Sequence, residues 1–220
     1  DDAAAAAFFV LNIRLAGNAV DYLRSDLPPS ALQHYWSLAV EEQFYFVWPV
    51  IALGVRRFSE RLLRPVLLVL IVVSLGLMLF SDLDEPTRFY SLPTRAWQLL
   101  VGAFGAHLIH SSSSVAKPRG PWFGVAGMVV VGACVVFAGS DSTRWPGVTT
   151  IVLTLATLVV VLIPGDVIRT VLAFRPLTWI GDRSYSWYLL HFPPMIFLEV
   201  SINDVSTTHL PPSTRLGSPA

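Results

Sequence analysis

Glu41 and Glu42 are adjacent carboxylates inside the stretch His34-Tyr35-Trp36-Ser37-Leu38-Ala39-Val40-Glu41-Glu42-Gln43-Phe44-Tyr45-Phe46-Val47-Trp48-Pro49, which opens an apolar segment long enough to enter a membrane. A charged group near a bilayer centre costs between about 2.5 and well over 10 kcal/mol, so an acid there usually faces a polar cavity, pairs with a base or binds a proton. A helix through 34 to 48 aligns His34, Ser37, Glu41, Tyr45 and Trp48 on one face by steps of three and four residues. Glu42 then points roughly 100° away, so only one of the two acids need line a cavity. An acid on that face can take or give a proton, orient a histidine or hold a hydroxyl substrate. The same residues also read as an interfacial belt of Tyr35, Trp36, Tyr45 and Trp48 around acids that stay hydrated.

Two further segments carry chemistry-bearing groups. In Leu92-Pro93-Thr94-Arg95-Ala96-Trp97-Gln98-Leu99-Leu100-Val101-Gly102, Arg95 enters the apolar region at the level of the acids. Its fork of donors could pair with a carboxylate or hold an anionic group, or the side chain could simply snorkel at a helix end. In Trp179-Ile180-Gly181-Asp182-Arg183-Ser184-Tyr185-Ser186-Trp187-Tyr188-Leu189-Leu190-His191-Phe192-Pro193-Pro194, a helix places Ser184, Tyr188 and His191 on one face. The tandem proline interrupts that helix just past His191 and frees backbone groups to line a cavity. His191 can carry a proton there or make an ordinary interhelical contact.

The elements that must position these groups are membrane spans. Hydrophobic residues make up 54% of the 220 and charged residues 14%, against about a quarter charged in soluble domains. Mean hydropathy is +0.60. At about 20 residues per span the chain holds six or seven. They are expected near Ala3 to Val20, Tyr35 to Val55, Pro65 to Phe80, Thr94 to Ile109, Trp122 to Ala138, Val148 to Ile163 and Ser184 to Ile202. The fourth is short and glycine-rich, suited to close packing. The fold expected is an all-α polytopic transmembrane bundle, one domain over 1–205 with a polar, disordered tail over 206–220.

Alternation puts the loops around Arg56 to Arg64, Ser111 to Gly120 and Asp166 to Arg183 on one side, with nine of the fifteen Lys and Arg residues. By the positive-inside rule that side is cytoplasmic, in the plasma (inner) membrane, and Glu41 and Glu42 lie one to two turns from the outer face. Zero formal net charge and the lack of a basic run exclude nucleic acid as a partner. The single cysteine, Cys134, excludes an intrachain disulfide and a cysteine zinc site, and no metal is expected. No phosphate loop, Gly-x-Ser-x-Gly elbow or His-x-x-x-His spacing occurs.

Trp36 to Tyr45, Pro93 to Gly102 and Ile180 to Pro193 together, in this order and spacing, resemble the acyltransferase-3 family of integral membrane proteins, in its bacterial O-acetyltransferase branch. The likeness covers about residues 30 to 195. It implies a bundle of about ten helices that passes an acyl group, typically acetyl from cytoplasmic acetyl-CoA, to a hydroxyl of a cell-surface glycan such as lipopolysaccharide or peptidoglycan. Carried onto this chain, it makes Glu41 the leading catalytic acid, with Glu42 beside it. Arg95 would steady negative charge or the donor, His191 is a further catalytic candidate, and Trp36, Ser37, Tyr45, Tyr185 and Tyr188 would shape the substrate cavity. Acyl-CoA enters as donor substrate, with no bound cofactor. Arg56, Arg57, Arg61 and Arg64 could attract its phosphates, or act as topology determinants and anionic-lipid contacts.

The family's arginine and histidine about eleven residues apart in its first helix are not in this sequence: Arg14 is followed at that distance by Ser25, and the nearest histidine is His34. The phenylalanine-rich Ser-Gly-Phe segment is also missing. The chain therefore reads as a fragment lacking two or more N-terminal spans. Rival readings are a proton-coupled transporter or flippase, since membrane acids and a broken helix fit both, and a catalytically silent fragment.

Overall fold

In the computed structural model the described residues are 2–20, 30–111, 122–138, 147–162 and 165–198. Among them every regular element is helical, in keeping with the all-α expectation. The helices are α1 (Asp2–Ala7), α2 (Leu11–Val20), α3 (Tyr35–Phe58), α4 (Leu63–Phe80), α5 (Glu85–Tyr90), α6 (Leu92–Ser111), α7 (Trp122–Ala138), α8 (Val148–Leu162), α9 (Gly165–Leu172) and α10 (Arg175–Leu190). A 3₁₀ turn, Glu60–Leu62, leads into α4. A last helical segment covers 192–198. Among the described residues, α3 and the segment Glu60–Phe80 are long and apolar enough to cross a membrane, and Trp122–Phe137 and Val148–Leu162 are apolar but shorter. The tail 206–220 and most of the loop after α2 lie outside the described residues.

The core sits where α3, α4 and α6 meet, with Phe44, Leu63, Leu67 and Leu100 buried and Trp48, Ala96 and Leu99 packed around them. Phe44 and Trp48 stack with centroids 6.1 Å apart, because four residues is one helical turn. The outer faces are apolar as well: Val69, Val72 and Val73 of α4 are all more than half exposed. A contiguous surface of that kind is an aggregation liability in water and a matched surface in hydrocarbon. Small residues bring helices together where lipid gives no hydrophobic drive. A Cβ at Gly127 of α7 would lie 2.9 Å from Val160, and one at Gly105 of α6 would lie 2.7 Å from Leu158. The glycine-rich α6 thus packs closely at Gly105, whereas Gly102 faces open space.

Three expected boundaries are corrected. The single span Ala3 to Val20 is two helices, broken at Phe9, whose φ of 55° is left-handed. Val10 N–H donates to Ala5 O and Phe9 N–H to Ala6 O, the pattern that ends helices at a left-handed residue, here with phenylalanine where glycine is usual. The supposed loop Asp166 to Arg183 is helical, and the last span begins at Arg175 instead of Ser184, with Pro176 in its first turn, where a missing N–H costs nothing. The helix does stop at His191, and Pro193 and Pro194 open the next segment.

The acidic patch Asp82 to Glu85 also folds, into the start of α5. The Asp84 carboxylate accepts from Thr87 N–H at 2.9 Å, and Pro86 sits in the first turn. That hydrogen bond holds the Asp84 carboxyl below its usual range.

α2 is clasped to α3 and α5 through amides. Gln43 Nε2 donates to Asn12 Oδ1 (2.9 Å) and to Phe9 O (2.7 Å), and Asn12 Nδ2 donates to Tyr90 O (3.1 Å). Asn12 is buried, so its removal leaves Gln43 short of a partner. Asn12→Ala is expected to lower stability by about 1–2 kcal/mol. Thermal unfolding of the full chain in detergent checks this, and the double variant with Gln43→Ala should cost less than the sum of the two single changes, the remainder being the lost bond to Phe9 O.

Candidate active site

The site is built at the corner between α5 and α6. Thr94, fully buried, donates to Arg88 O (2.7 Å) and shares its hydroxyl with Ser91 Oγ (3.0 Å). Ser74 of α4 donates to Pro93 O (2.6 Å) and accepts from Trp97 N–H (2.8 Å), so a hydroxyl bridges the first turn of α6. These bonds fix the backbone on both sides of Arg95. Its side chain is buried, with Nε donating to Phe89 O at 3.0 Å. The guanidinium carbon lies 4.7 Å from the Phe89 ring centroid and 5.4 Å from that of Trp36, within cation–π range. Arg95 Nη2 is buried and has no hydrogen-bond partner among the described residues.

Arg95 lines a cavity of about 90 Å³ together with Trp36, Ser37, Val40, Glu41, Gln98 and Leu99. At roughly 30 Å³ per water that is room for about three waters, the size of an acyl group beside a hydroxyl oxygen and not of a sugar ring. Glu41 stays exposed while lining this space. Among the described residues no ion pair within 4.0 Å joins Arg95 to an acid. An acid and a buried guanidinium donor therefore face one small space without neutralising each other.

The α10 motif meets α3 beside that cavity. Tyr188 donates its hydroxyl proton to His34 O, which leaves Ser37 Oγ as the donor in the 2.6 Å Ser37–Tyr188 contact. Tyr35 donates to Leu189 O at 3.0 Å. His34 packs against His191 (ring centroids 5.3 Å), Tyr188 (5.4 Å) and Phe192 (5.0 Å). Neither ring nitrogen of His34 has a partner among the described residues. His191 turns Nδ1 onto its own helix, 3.0 Å from Trp187 O and 2.8 Å from Tyr188 O, and does not line the cavity.

Of the residues singled out in the sequence, Glu41, Arg95, Trp36 and Ser37 come together at the cavity, and Tyr188 reaches it through Ser37. Glu42 is half-buried on another face, and Tyr45 and Tyr185 are more than half exposed; none of the three lines the cavity. Tyr45 turns out because Phe44 takes the core-facing position beside it. Gln98 and Phe89 were not foreseen. Gln98 stands three residues after Arg95 and so shares its face. Phe89 was legible only through the helix start at Asp84 and Pro86.

Burial, with His191 nearby, holds His34 below the ordinary histidine value of 6.5. The folded form then binds this proton less readily than the unfolded form. The resulting stability is complete above the ordinary value and is lost as pH falls through the lower folded one. Among the described residues the rings facing His34 are Tyr35, Tyr188, His191 and Phe192, and the Leu189 and Tyr188 backbone carbonyls offset the effect of burial only in part. The protection factors of α10 amides, taken against the intrinsic exchange rate at each pH, are expected to fall on acidification below about pH 6.5, and a His34→Phe variant is expected to lose that fall.

A bundle of apolar helices with an acid and an unneutralised arginine at one small cavity is consistent with a helical membrane protein. The chain belongs to the acyltransferase-3 family, whose acyltransferase domain matches residues 4–217. It is similar to the peptidoglycan O-acetyltransferase OatA of Listeria monocytogenes, 34% identical over 226 residues, 95% of this chain and 36% of that protein. It is also similar to an O-acetyltransferase OatA of Staphylococcus aureus, 32% identical over 212 residues, 90% of this chain and 35% of that protein. The chain thus spans about a third of the length of these curated relatives. No solved structure matches it.

Proposed function

We propose that the protein containing this chain moves an acetyl group from acyl-CoA to a hydroxyl of a cell-envelope glycan, with peptidoglycan the first acceptor to try. The relatives' names support the acetyl group and the acceptor class. The observation that carries the chemistry is the cavity where Glu41 and the free Nη2 of Arg95 face each other. In this reading Glu41 accepts the proton of the acceptor hydroxyl, or orients a base that does, as the oxygen attacks the thioester carbonyl. Arg95 Nη2 donates to the carbonyl oxygen as it becomes an oxyanion. The carbon–sulfur bond then breaks, the ester forms, and the proton leaves with the coenzyme A thiol.

Ser37, held by Tyr188, and Trp36 shape the wall against which the acyl group lies. Glu42, His191, Tyr45 and Tyr185 have no part in the transfer step. The donor's phosphates dock at the opposite end of α4 and α6, where Arg61, Arg64, His107 and His110 line a cavity of about 550 Å³. The positive-inside rule favours that end as cytoplasmic.

The test uses the full-length protein in vesicles, given isotope-labelled acetyl-CoA and peptidoglycan strands, with labelled ester read by mass spectrometry. Ester formation above protein-free vesicles is expected. Proton-driven glycan uptake without covalent product would overturn the reading in favour of a transporter.

A further inference from the structure

We infer that Val40 and Leu99 set the length of the acyl group the small cavity accepts, by closing its apolar side behind an acetyl methyl. The inference rests on the acyl-transfer reading and extends it to the choice of donor.

The polar groups of the cavity fix which way an acyl group lies. α3 contributes Trp36, Ser37, Val40 and Glu41, and α6 contributes Arg95, Gln98 and Leu99. Arg95 Nη2 is a buried donor without a partner among the described residues, so the carbonyl oxygen belongs beside it. Glu41 is the exposed member of the set, so the acceptor hydroxyl approaches from its side. The Ser37 hydroxyl is engaged by Tyr188. The hydrocarbon end of the acyl group is left with the apolar walls, which are Trp36, Val40 and Leu99.

Those walls have little freedom to retreat. Val40 is 5% exposed, and Leu99 packs against the core cluster of Phe44, Leu63, Leu67 and Leu100. Trp36 is held by Phe89 and Tyr90, with ring centroids 4.8 and 5.3 Å away. A close-packed wall of this kind resists even one added methylene. Size then decides what enters. At roughly 30 Å³ for each water-sized group, an acetyl and the attacking hydroxyl oxygen together take up the cavity's volume of about 90 Å³. Propionyl brings one methylene more, and Val40 and Leu99 stand where it would go. Any group that closes the mouth of the cavity adds a wall and removes none. The bonds made and broken are the same for either donor: the ester carbon–oxygen bond forms, the thioester carbon–sulfur bond breaks, and the hydroxyl proton leaves with the coenzyme A thiol.

The experiment gives the full-length protein in vesicles peptidoglycan strands and an equal mixture of acetyl-CoA and propionyl-CoA, with the two esters counted by mass spectrometry. Competition in one sample reports the ratio of the two kcat/KM values, which does not depend on how much protein is folded. The parent is expected to favour acetyl at least about tenfold, the low end of what one methylene is worth in an apolar pocket. Val40→Ala takes two methyl groups off the α3 wall and is expected to lower that preference at least about tenfold. Leu99→Val takes one methylene off the α6 wall, disturbs the fold less, and should shift the ratio the same way by a smaller factor. Val50→Ala, exposed on the same helix and outside the cavity, should leave the ratio unchanged. Acetyl transfer without preference over propionyl, or a preference that neither cavity variant moves, would overturn the inference while acyl transfer stands. Neither ester nor release of coenzyme A from either donor would remove the acyl-transfer reading and the inference with it, so the two failures are distinguishable.

Discussion

Glu41→Gln in the full-length protein is expected to lower kcat for acyl transfer by about 10²- to 10⁴-fold, the range over which a positioned acid or base contributes to a proton-coupled step. The change is nearly isosteric and removes the charge while keeping a hydrogen-bonding group. Glu41 is exposed at its cavity and makes no ion pair within 4.0 Å among the described residues, so folding should not depend on its charge. Insertion and thermal stability are therefore expected to match the parent. Glu42→Gln provides the contrast: that side chain does not line the cavity, and transfer should stay within a few-fold. Equal losses at both positions would mean that the local field matters and no single carboxylate does. Full activity in Glu41→Gln would remove this residue from the mechanism.

The sequence announced Glu41 and Arg95 because charge in an apolar segment is costly at any register, and the cost can be read without a fold. Helical spacing likewise placed Ser37 and Glu41 on one face. It failed at Tyr45, since a face is a range of angles and Phe44, a residue away, supplies the core contact. The break at His191 was visible in Pro193-Pro194, whereas the break at Phe9 was not, because nothing in Ala7-Phe8-Phe9-Val10 announces a left-handed residue. The local bonds that close the turn are helped by a contact distant in sequence, Gln43 donating to Phe9 O. The cavity itself follows from such pairings. The partner that holds Arg95 is the Phe89 carbonyl on a one-and-a-half-turn helix, and the Tyr188 hydroxyl that engages Ser37 stands 151 residues away along the chain.

Arg95 should respond to substitution in a way a structural arginine would not. A guanidinium that is 7% exposed, bonded once through Nε and carrying an unpartnered Nη2, is costly to bury, and its two aromatic neighbours return only about 1–2 kcal/mol each. Arg95→Met keeps the length and packing of the side chain and removes the buried charge. Thermal stability of that variant is expected to be unchanged or higher, while kcat falls about 10²- to 10³-fold as the oxyanion loses a donor. Arg95→Lys keeps the charge but has neither the Nε donor for Phe89 O nor the reach of the fork, so it should rescue less than a tenth of the lost rate. The decisive quantity is the sign of the stability change beside the activity loss. If stability and activity fall together in Arg95→Met, the residue is a clasp between α5 and α6 and the cavity loses its electrophilic wall. If stability holds while activity falls, the buried charge is kept at a cost to the fold because the transition state needs it.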